Sequence, residues 1–156
     1  MALTKPALDP IACEPHTGTV YPEPYRSQVL PREKRRIGDA LGLTKIGINR
    51  TTLPPGKVSS MRHWHTHEDE FVLVLEGEVV LCTDNGEQLL RAGDCAGFPA
   101  GSKEGHQLAN RGTRPAVYLE VSNRDPADKA FYSDPSVDMA WDGSSRRITR
   151  RDGTDY

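Results

Sequence analysis

The stretch RHWHTHEDEFVLVLEGE, residues 62–78, places three histidines and several acids directly before an apolar run. On a β-strand alternate side chains share a face, so His63 and His65 point one way and Trp64 points the other. Glu70 lies far enough along the chain for a bend to bring it back toward the two imidazoles. Neutral histidine combined with a carboxylate is a ligand set that suits iron, manganese, nickel or zinc. The stretch therefore predicts a metal site on the inner wall of a small β-barrel.

The sequence on both sides of this stretch is typical of an all-β protein. About eight short runs with strand character lie between residues 45 and 122, and helical periodicity is almost absent. The run from Lys45 to Leu53 ends at the turn signal Pro54-Pro55-Gly56. Asp84-Asn85-Gly86 predicts a hairpin, because Asn-Gly suits a two-residue turn. Regularly spaced strands of this kind indicate a sandwich or barrel.

Composition limits the classes of protein. At 156 residues the chain has the length of one domain, and its net charge of −2 argues against a dedicated nucleic-acid binder. No apolar run is long enough to span a membrane, and the first ten residues lack the apolar stretch of a signal peptide. Three cysteines, an odd number, argue against a disulfide framework. We therefore predict a cytoplasmic protein with no membrane or nucleic-acid partner.

The two ends of the chain differ from its middle, so we predict three parts. Residues 1–44 are rich in proline and are predicted to form an extended arm. Within them the basic run Arg32–Arg36 is interpreted as a solvated face or loop, with a patch for an anionic ligand as the alternative. Residues 45–122 form the barrel core. Residues 123–156 form a C-terminal extension that packs on the barrel or on a partner subunit, with one helical turn predicted after Asp125.

A second motif lies between Gly93 and Asn110, in the sequence GDCAGFPAGSKEGHQLAN. Its glycines and proline mark turns that flank a short strand. His106 then begins another strand and is predicted to project inward with Leu108 and Asn110. A closed barrel could bring this third imidazole to the ligands on residues 62–78.

Together the two motifs resemble those of the cupin superfamily. The first cupin motif, Gly-x5-His-x-His-x3–4-Glu-x6-Gly, corresponds to Gly56, His63, His65, Glu70 and Gly77, with a first interval one residue longer. The second, Gly-x5-Pro-x-Gly-x2-His-x3-Asn, corresponds to Gly93, Pro99, Gly101, His106 and Asn110, with a gap of four residues before the histidine. The resemblance extends over roughly residues 45–122.

This resemblance implies a double-stranded β-helix, or jelly roll, with an ion inside it. The implied ligands are His63, His65, Glu70 and His106, holding one divalent transition metal per chain (Fe, Mn, Ni or Zn) and leaving one or two positions open. An alternative is a register slip that pairs His65 with His67. That slip leaves a shorter interval before the glutamate than the family has, so His67 is expected at the strand end, exposed or supporting a ligand.

The resemblance also implies a function. Small single-domain cupins of this sequence style resemble sugar or sugar-phosphate isomerases, so we predict a metal-dependent enzyme, of isomerase or epimerase type, acting on a small oxygen-rich substrate. The alternatives are an Fe(II)-dependent dioxygenase and a non-catalytic sensing or binding protein. The candidate catalytic groups are Glu104, Asp69 and Tyr118. Because small cupins commonly pair through sheet edges and terminal arms, we also predict a homodimer.

Overall fold

The computed structural model describes residues 7–142 and 147–156, with the side chain of Asp142 left out. Its helices are short: a 3-10 turn at Pro10–Ala12, α1 at Tyr25–Val29 and α2 at Ile37–Ala40. The strands are β1 (Pro15–His16), β2 (Glu33–Arg36), β3 (Ile46–Leu53), β4 (His63–His65), β5 (Glu70–Glu76), β6 (Glu78–Thr83), β7 (Gly86–Arg91), β8 (Cys95–Phe98), β9 (His106–Ala109), β10 (Ala116–Asn123), β11 (Ala130–Tyr132), β12 (Ala140–Asp142) and β13 (Arg147–Thr149). No helix among these described residues is long and apolar enough to cross a membrane.

Two antiparallel sheets form the barrel. One has the strand order β1-β2-β3-β10-β5-β8 and the other the order β11-β4-β9-β6-β7, while β12 and β13 form a separate pair. Neighbours in each sheet are mostly distant in sequence, as in β3 beside β10 and β4 beside β9. This arrangement confirms the predicted jelly roll.

The main core lies between the two sheets and follows the alternation of side chains along each strand. On β5, Val72 and Val74 are buried, whereas Phe71 and Leu75 on the opposite face are exposed. The residues of this core come from both sheets: Leu53, Val72, Val74, Val79, Leu81, Leu90, Leu108, Ala116 and Tyr118. Glu70 belongs to the same inward face as Val72 and Val74, so the sheet that packs the core also directs this carboxylate inward.

Two turns show why the motifs carry their small residues. Gly77, between β5 and β6, has a φ of 74°, and a Cβ there would lie 3.1 Å from the Pro115 carbonyl oxygen. Glycine is therefore required by both conformation and space. The predicted hairpin joins β6 to β7, but Thr83 pairs with Gly86, so Asp84 and Asn85 form the turn instead of Asn85 and Gly86. The Thr83 hydroxyl accepts a hydrogen bond from the Asn85 N–H at 3.2 Å.

The two ends of the chain are more structured than the sequence analysis predicts. Residues 1–6 of the predicted arm lie outside the described residues, and the rest is not extended throughout. Helix α1 buries Tyr25 and Val29 in a second apolar cluster with Met61, Val137 and Met139. Strand β2 pairs with β3 and so widens the first sheet. Proline limits the length of each element in this segment, but it does not prevent short ones.

The helical turn predicted after Asp125 is wrong. The Asp125 side chain accepts a hydrogen bond from the Ala127 N–H at 2.8 Å, and its carbonyl accepts one from the Asp128 N–H at 3.1 Å. These bonds close a tight turn, after which the chain continues as β11 and pairs with β4. The turn brings residues of the C-terminal extension directly beside the histidine strand.

Candidate metal centre

Three strands bring the four predicted ligands together. His63 and His65 share one face of β4, His106 lies opposite His63 on β9, and Glu70 begins β5 in the other sheet. Glu70 Oε2 lies 2.8 Å from His106 Nε2, 3.6 Å from His65 Nε2 and 3.8 Å from His63 Nε2. All three imidazoles therefore surround the Glu70 carboxylate, but only His63, Glu70 and His106 bring ligand atoms within 4.8 Å of one another, whereas His65 forms such a group with Glu68 and Asp128.

Hydrogen bonds fix the orientation of the two imidazoles of β4. His63 Nδ1 lies 2.8 Å from the Met61 carbonyl oxygen, which can only accept, so this nitrogen carries the proton. His65 Nδ1 lies 2.6 Å from Asp128 Oδ2 and donates to that carboxylate in the same way. In both rings Nε2 faces Glu70. Partners of this kind are usual for histidines that bind metals.

The ring of Phe98 stacks on the third imidazole, that of His106. The rings of His106 and Phe98 are stacked with their centroids 3.6 Å apart and an interplanar angle of 3°. Phe98 pairs with Glu70 across β8 and β5. His106 is only 7% exposed, so the stacked ring has little freedom to turn away from the carboxylate.

Burial and mutual charge set the protonation of the group. Burial, only partly opposed by the charge of Glu70, lowers the pKa of His63 to about 4. Burial alone would raise the pKa of Glu70, but its contact with His106 and the charges of the three imidazoles hold that pKa well below its usual range. At neutral pH the site therefore presents an ionised carboxylate and a neutral His63.

The donor set fits a single divalent cation. Glu70 Oε2 is buried, and within the described residues this oxygen has no hydrogen bond of acceptable angle. His106 Nε2 is only 2.8 Å from it. A buried carboxylate oxygen without a well-formed hydrogen bond is costly, and a cation bound between it and the imidazole nitrogens would remove that cost. His63, Glu70 and His106 each offer a ligand atom within 4.8 Å of one another. Imidazole nitrogens with one carboxylate match the preference of zinc and of other transition metals.

Asp128 supports this site, and sequence analysis did not find it. Asp128 is 5% exposed and, besides the bond to His65, its carboxylate accepts hydrogen bonds from the N–H groups of His67 and Glu68 at 2.8 and 3.2 Å. Although burial alone would raise the pKa of Asp128, these hydrogen bonds and the charge of His65 keep it below the usual range. The only signal in the sequence is Asp128 itself, in a segment assigned to a helical turn.

The three predicted catalytic residues do not share the environment of the ligands. The Tyr118 side chain is fully buried in the main core. Glu104 is exposed, and its Oε1 accepts a hydrogen bond from the side chain of Asn85 in the β6–β7 turn. Asp69 is exposed and accepts a hydrogen bond from the Ala100 N–H at 2.8 Å. None of the three lines the cavity beside the ligands.

Three other side chains of the motifs have structural contacts. His67 is exposed, with its ring 2.7 Å from the Thr66 hydroxyl, as expected for the strand end. Trp64 points away from the ligands and stacks on Phe131 with ring centroids 4.9 Å apart. Asn110 is 1% exposed, and its amide donates to the carbonyl of Leu53 at 2.8 Å. Asn110 therefore supports the barrel wall.

A cavity of about 380 Å³ opens beside the candidate ligands. His63, His65 and Glu70 contribute to its wall, which also includes Tyr21, Lys34, Ser60, Glu120, Tyr132 and Trp141. The Glu120 carboxylate forms an ion pair with Lys34 at 2.7 Å. The cavity therefore combines metal-type donors with a carboxylate that is not among them.

Comparisons with known proteins place these motifs in context. A family model described as a cupin domain matches residues 49–122. The solved structure of a sugar phosphate isomerase from a cupin superfamily, from Silicibacter pomeroyi, is 44% identical; the match covers 97% of this chain and 96% of that chain, with a TM-score of 0.88. A comparison with curated proteins gave no match.

Two further solved structures are similar at lower identity. One, from Acidithiobacillus ferrooxidans, bears the provisional name of sugar phosphate isomerase; it is 29% identical over 80% of each chain, with a TM-score of 0.69. The other, a predicted oxalate decarboxylase from Thermotoga maritima, is 26% identical over 59% of this chain and 79% of that chain, with a TM-score of 0.51.

Proposed function

Because this chain belongs to the cupin superfamily, we propose that it is a metal-dependent isomerase of a sugar or sugar phosphate. The observation that carries the proposal is a cavity in which metal-type donors and a separate carboxylate, Glu120, line the same wall. The metal-type donors would hold the ion that binds a polyhydroxylated substrate, and the separate carboxylate would transfer the proton. The similarity to proteins named sugar phosphate isomerase supports the same substrate class.

We propose His63, His65, Glu70 and His106 as the ligands of one divalent transition metal, with Asp128 orienting His65. Bound there, the metal would act as a Lewis acid toward a carbonyl or hydroxyl oxygen. The protein contributes a rigid set of donors, because the Nδ1 atoms of His63 and His65 are already held by hydrogen bonds. Open coordination positions distinguish such a reactive site from a structural one.

Glu120 is the proposed proton carrier. An aldose–ketose isomerisation moves one proton from a carbon to its neighbour and a second proton from the hydroxyl oxygen to the former carbonyl oxygen, so that the hydroxyl and carbonyl exchange places. A carboxylate can take the proton from one carbon and return it to the next. Glu120 lines the cavity, and its carboxylate lies 2.7 Å from the Lys34 ammonium. It therefore replaces Glu104 and Asp69 as the proposed acid–base residue.

Two tyrosines supply neutral hydroxyl groups to the same cavity. Tyr21 and Tyr132 meet edge to face with ring centroids 6.1 Å apart, and Tyr132 lies 6.4 Å from the ring of His63. Burial raises the pKa of both phenols above the usual value. Both therefore remain protonated at neutral pH and offer hydrogen bonds to substrate oxygens instead of acting as bases.

The proposal is tested by metal analysis combined with an assay for isomerisation. We expect about one transition-metal ion per chain by elemental analysis, and turnover of an aldose or ketose, or of its phosphate, in a screen followed by NMR. In D₂O the product should gain carbon-bound deuterium, because the proton on the base exchanges with solvent. Oxygen consumption would support a dioxygenase instead, and metal binding without any turnover would support a binding protein.

We also propose a homodimer, formed through the outer face of the six-stranded sheet. Ile46, Phe71 and Leu75 are 38%, 41% and 37% exposed on this face. Val121 lies between Phe71 and Ile48 in register, which makes the apolar surface continuous across three strands. A face of this kind can bury itself against a second copy related by a two-fold axis.

Charge on this face should separate the two copies. We expect the unchanged protein to sediment as a dimer and Phe71→Asp to sediment as a monomer, because a carboxylate would be buried without a partner. Leu89→Asp is the matched control, since Leu89 is 39% exposed on β7 of the other sheet. A monomeric unchanged protein, or a dimer that survives Phe71→Asp, would contradict this interface.

A further inference from the structure

The inner face of β2 carries a row of cations. Arg32, immediately before the strand, and Lys34 and Arg36 within it alternate in sequence and therefore share one face. All three line the cavity that His63, His65 and Glu70 also line. Arg35, on the opposite face, instead donates hydrogen bonds to the carbonyls of Ile11 and Cys13 at 2.6 Å. Pairing of β2 with β3 thus directs this positive charge toward the candidate metal centre.

The charge on this face is only partly neutralised. Lys34 pairs with Glu120. Arg32 is 9% exposed and donates to the backbone carbonyl of Ser59, a neutral acceptor. Arg36 is exposed, and within the described part of the chain no hydrogen bond or ion pair engages its guanidinium. Apart from the candidate ligand Glu70, Glu120 is the acid among the described residues that line the cavity. Three cations therefore face one available carboxylate.

A neighbouring strand adds to the positive region. His16 on β1 lies opposite Lys34 in register and lines the same cavity. Burial, together with the charges of Arg36, Arg32 and Lys34, lowers the pKa of His16. At neutral pH this imidazole is therefore a neutral hydrogen-bonding group in the cavity that the three cations also line.

We propose that this basic face, with Arg36 as its principal contact, binds the phosphate group of the substrate. The inference rests on the proposed function, whose substrate class it narrows from sugars in general to phosphorylated sugars. A guanidinium offers paired N–H donors that match phosphate oxygens, and charge-assisted bonds of this type are among the strongest in proteins. A dianionic phosphate also matches the excess of cations better than a single carboxylate does. The cavity volume lies within the range of small-molecule sites.

The test measures binding to the metal-free protein, so that it does not depend on catalysis. After treatment with chelator, calorimetric titration with a hexose 6-phosphate and with the same hexose is expected to show binding of the phosphate ester at least about tenfold tighter. Arg36→Gln should weaken binding of the ester by about tenfold or more and leave the hexose unaffected. Arg36→Lys keeps the charge but loses the paired donors. Its affinity for the ester should therefore lie between those of the unchanged protein and of Arg36→Gln.

The control variant is Arg91→Gln, which removes one positive charge from an exposed side chain on β7 of the other sheet. It should bind the ester like the unchanged protein, and circular dichroism should show all variants folded. Equal binding of hexose and ester, or equal losses in Arg36→Gln and Arg91→Gln, would overturn the inference. Tighter binding of the corresponding sugar acid would overturn the assignment to phosphate.

The outcomes for binding and for catalysis are separable. Arg36-dependent binding of the ester without any isomerisation would support this inference and count against the proposed function. Isomerisation of an unphosphorylated sugar with a KM that Arg36→Gln does not change would overturn the inference and leave the proposed function standing.

Discussion

Replacing Glu70 with glutamine is expected to remove the bound metal while leaving the barrel folded. The carboxylate is the anionic donor among the four candidate ligands, and its Oε2 lies within 3.8 Å of all three imidazole Nε2 atoms. A neutral amide of the same shape keeps the packing but loses the charge that attracts the cation. We expect the affinity for metal to fall by more than the roughly 10–100-fold that loss of an outer partner costs. Elemental analysis after reloading with Fe, Mn, Ni and Zn separately gives the measurement.

Two further variants calibrate the effect of Glu70→Gln. Asp128→Asn keeps all four ligands but weakens the acceptor for His65 Nδ1, so it should lose only about 10–100-fold in affinity. Glu78→Gln removes a charge from an exposed side chain that contacts Arg91 at 4.0 Å, and it should keep the full metal complement. Thermal unfolding of the metal-free forms checks that the fold is intact. If Glu70→Gln retained stoichiometric metal, the ligand assignment would be wrong.

The second large effect is expected for Glu120→Gln. If Glu120 carries the proton, its amide cannot do so, and kcat should fall by about 10²–10⁴-fold. The metal content should be unchanged, because Glu120 is not among the four residues that converge on the site. Loss of turnover with metal retained separates proton transfer from metal binding. The measurement is kcat for isomerisation together with the rate at which deuterium enters the substrate from D₂O.

Glu78→Gln serves again as the matched control and should keep the kcat of the unchanged protein. Because Glu120→Gln also frees Lys34, KM is measured beside kcat, and an effect confined to KM would point to substrate binding alone. Full activity in Glu120→Gln, with activity lost in Glu104→Gln, would refute the role of Glu120. It would return the acid–base function to Glu104, one of the candidates named from the sequence.

The strands and the four converging side chains could be predicted because their signals are local. Strands β5 and β6 are short apolar runs bounded by charged residues and turn signals, which identify them as buried strands without knowledge of the partner strands. The intervals from His63 to Glu70, and the turn residues before His106, fix which side chains can face inward. Glu70 and Val72 share a face because alternate side chains of a strand do, so the strand that packs the core also directs the carboxylate inward.

The remaining features depend on pairing between distant segments. Asp128 contacts His65 because β11 pairs with β4, and nothing in the composition of residues 125–132 requires that pairing. The alternation of Arg32, Lys34 and Arg36 is visible in the sequence. Only the pairing of β2 with β3 shows that these side chains line the cavity. Without that pairing, a solvated surface was the natural interpretation of the basic run.

Strand β11 also determines how far the site can be separated from the rest of the chain. The matched family region ends at residue 122, whereas Asp128 and Tyr132 follow it. A shortened protein that stops at residue 122 would carry every candidate ligand. His65 would nevertheless lose its hydrogen bond to Asp128, and the cavity would lose the part of its wall that Tyr132 forms. Grafting the two motifs alone onto another jelly roll would therefore transfer the ligand side chains without the hydrogen bond from His65 to Asp128 that fixes the orientation of that imidazole. The transferable unit includes the C-terminal segment at least through Tyr132.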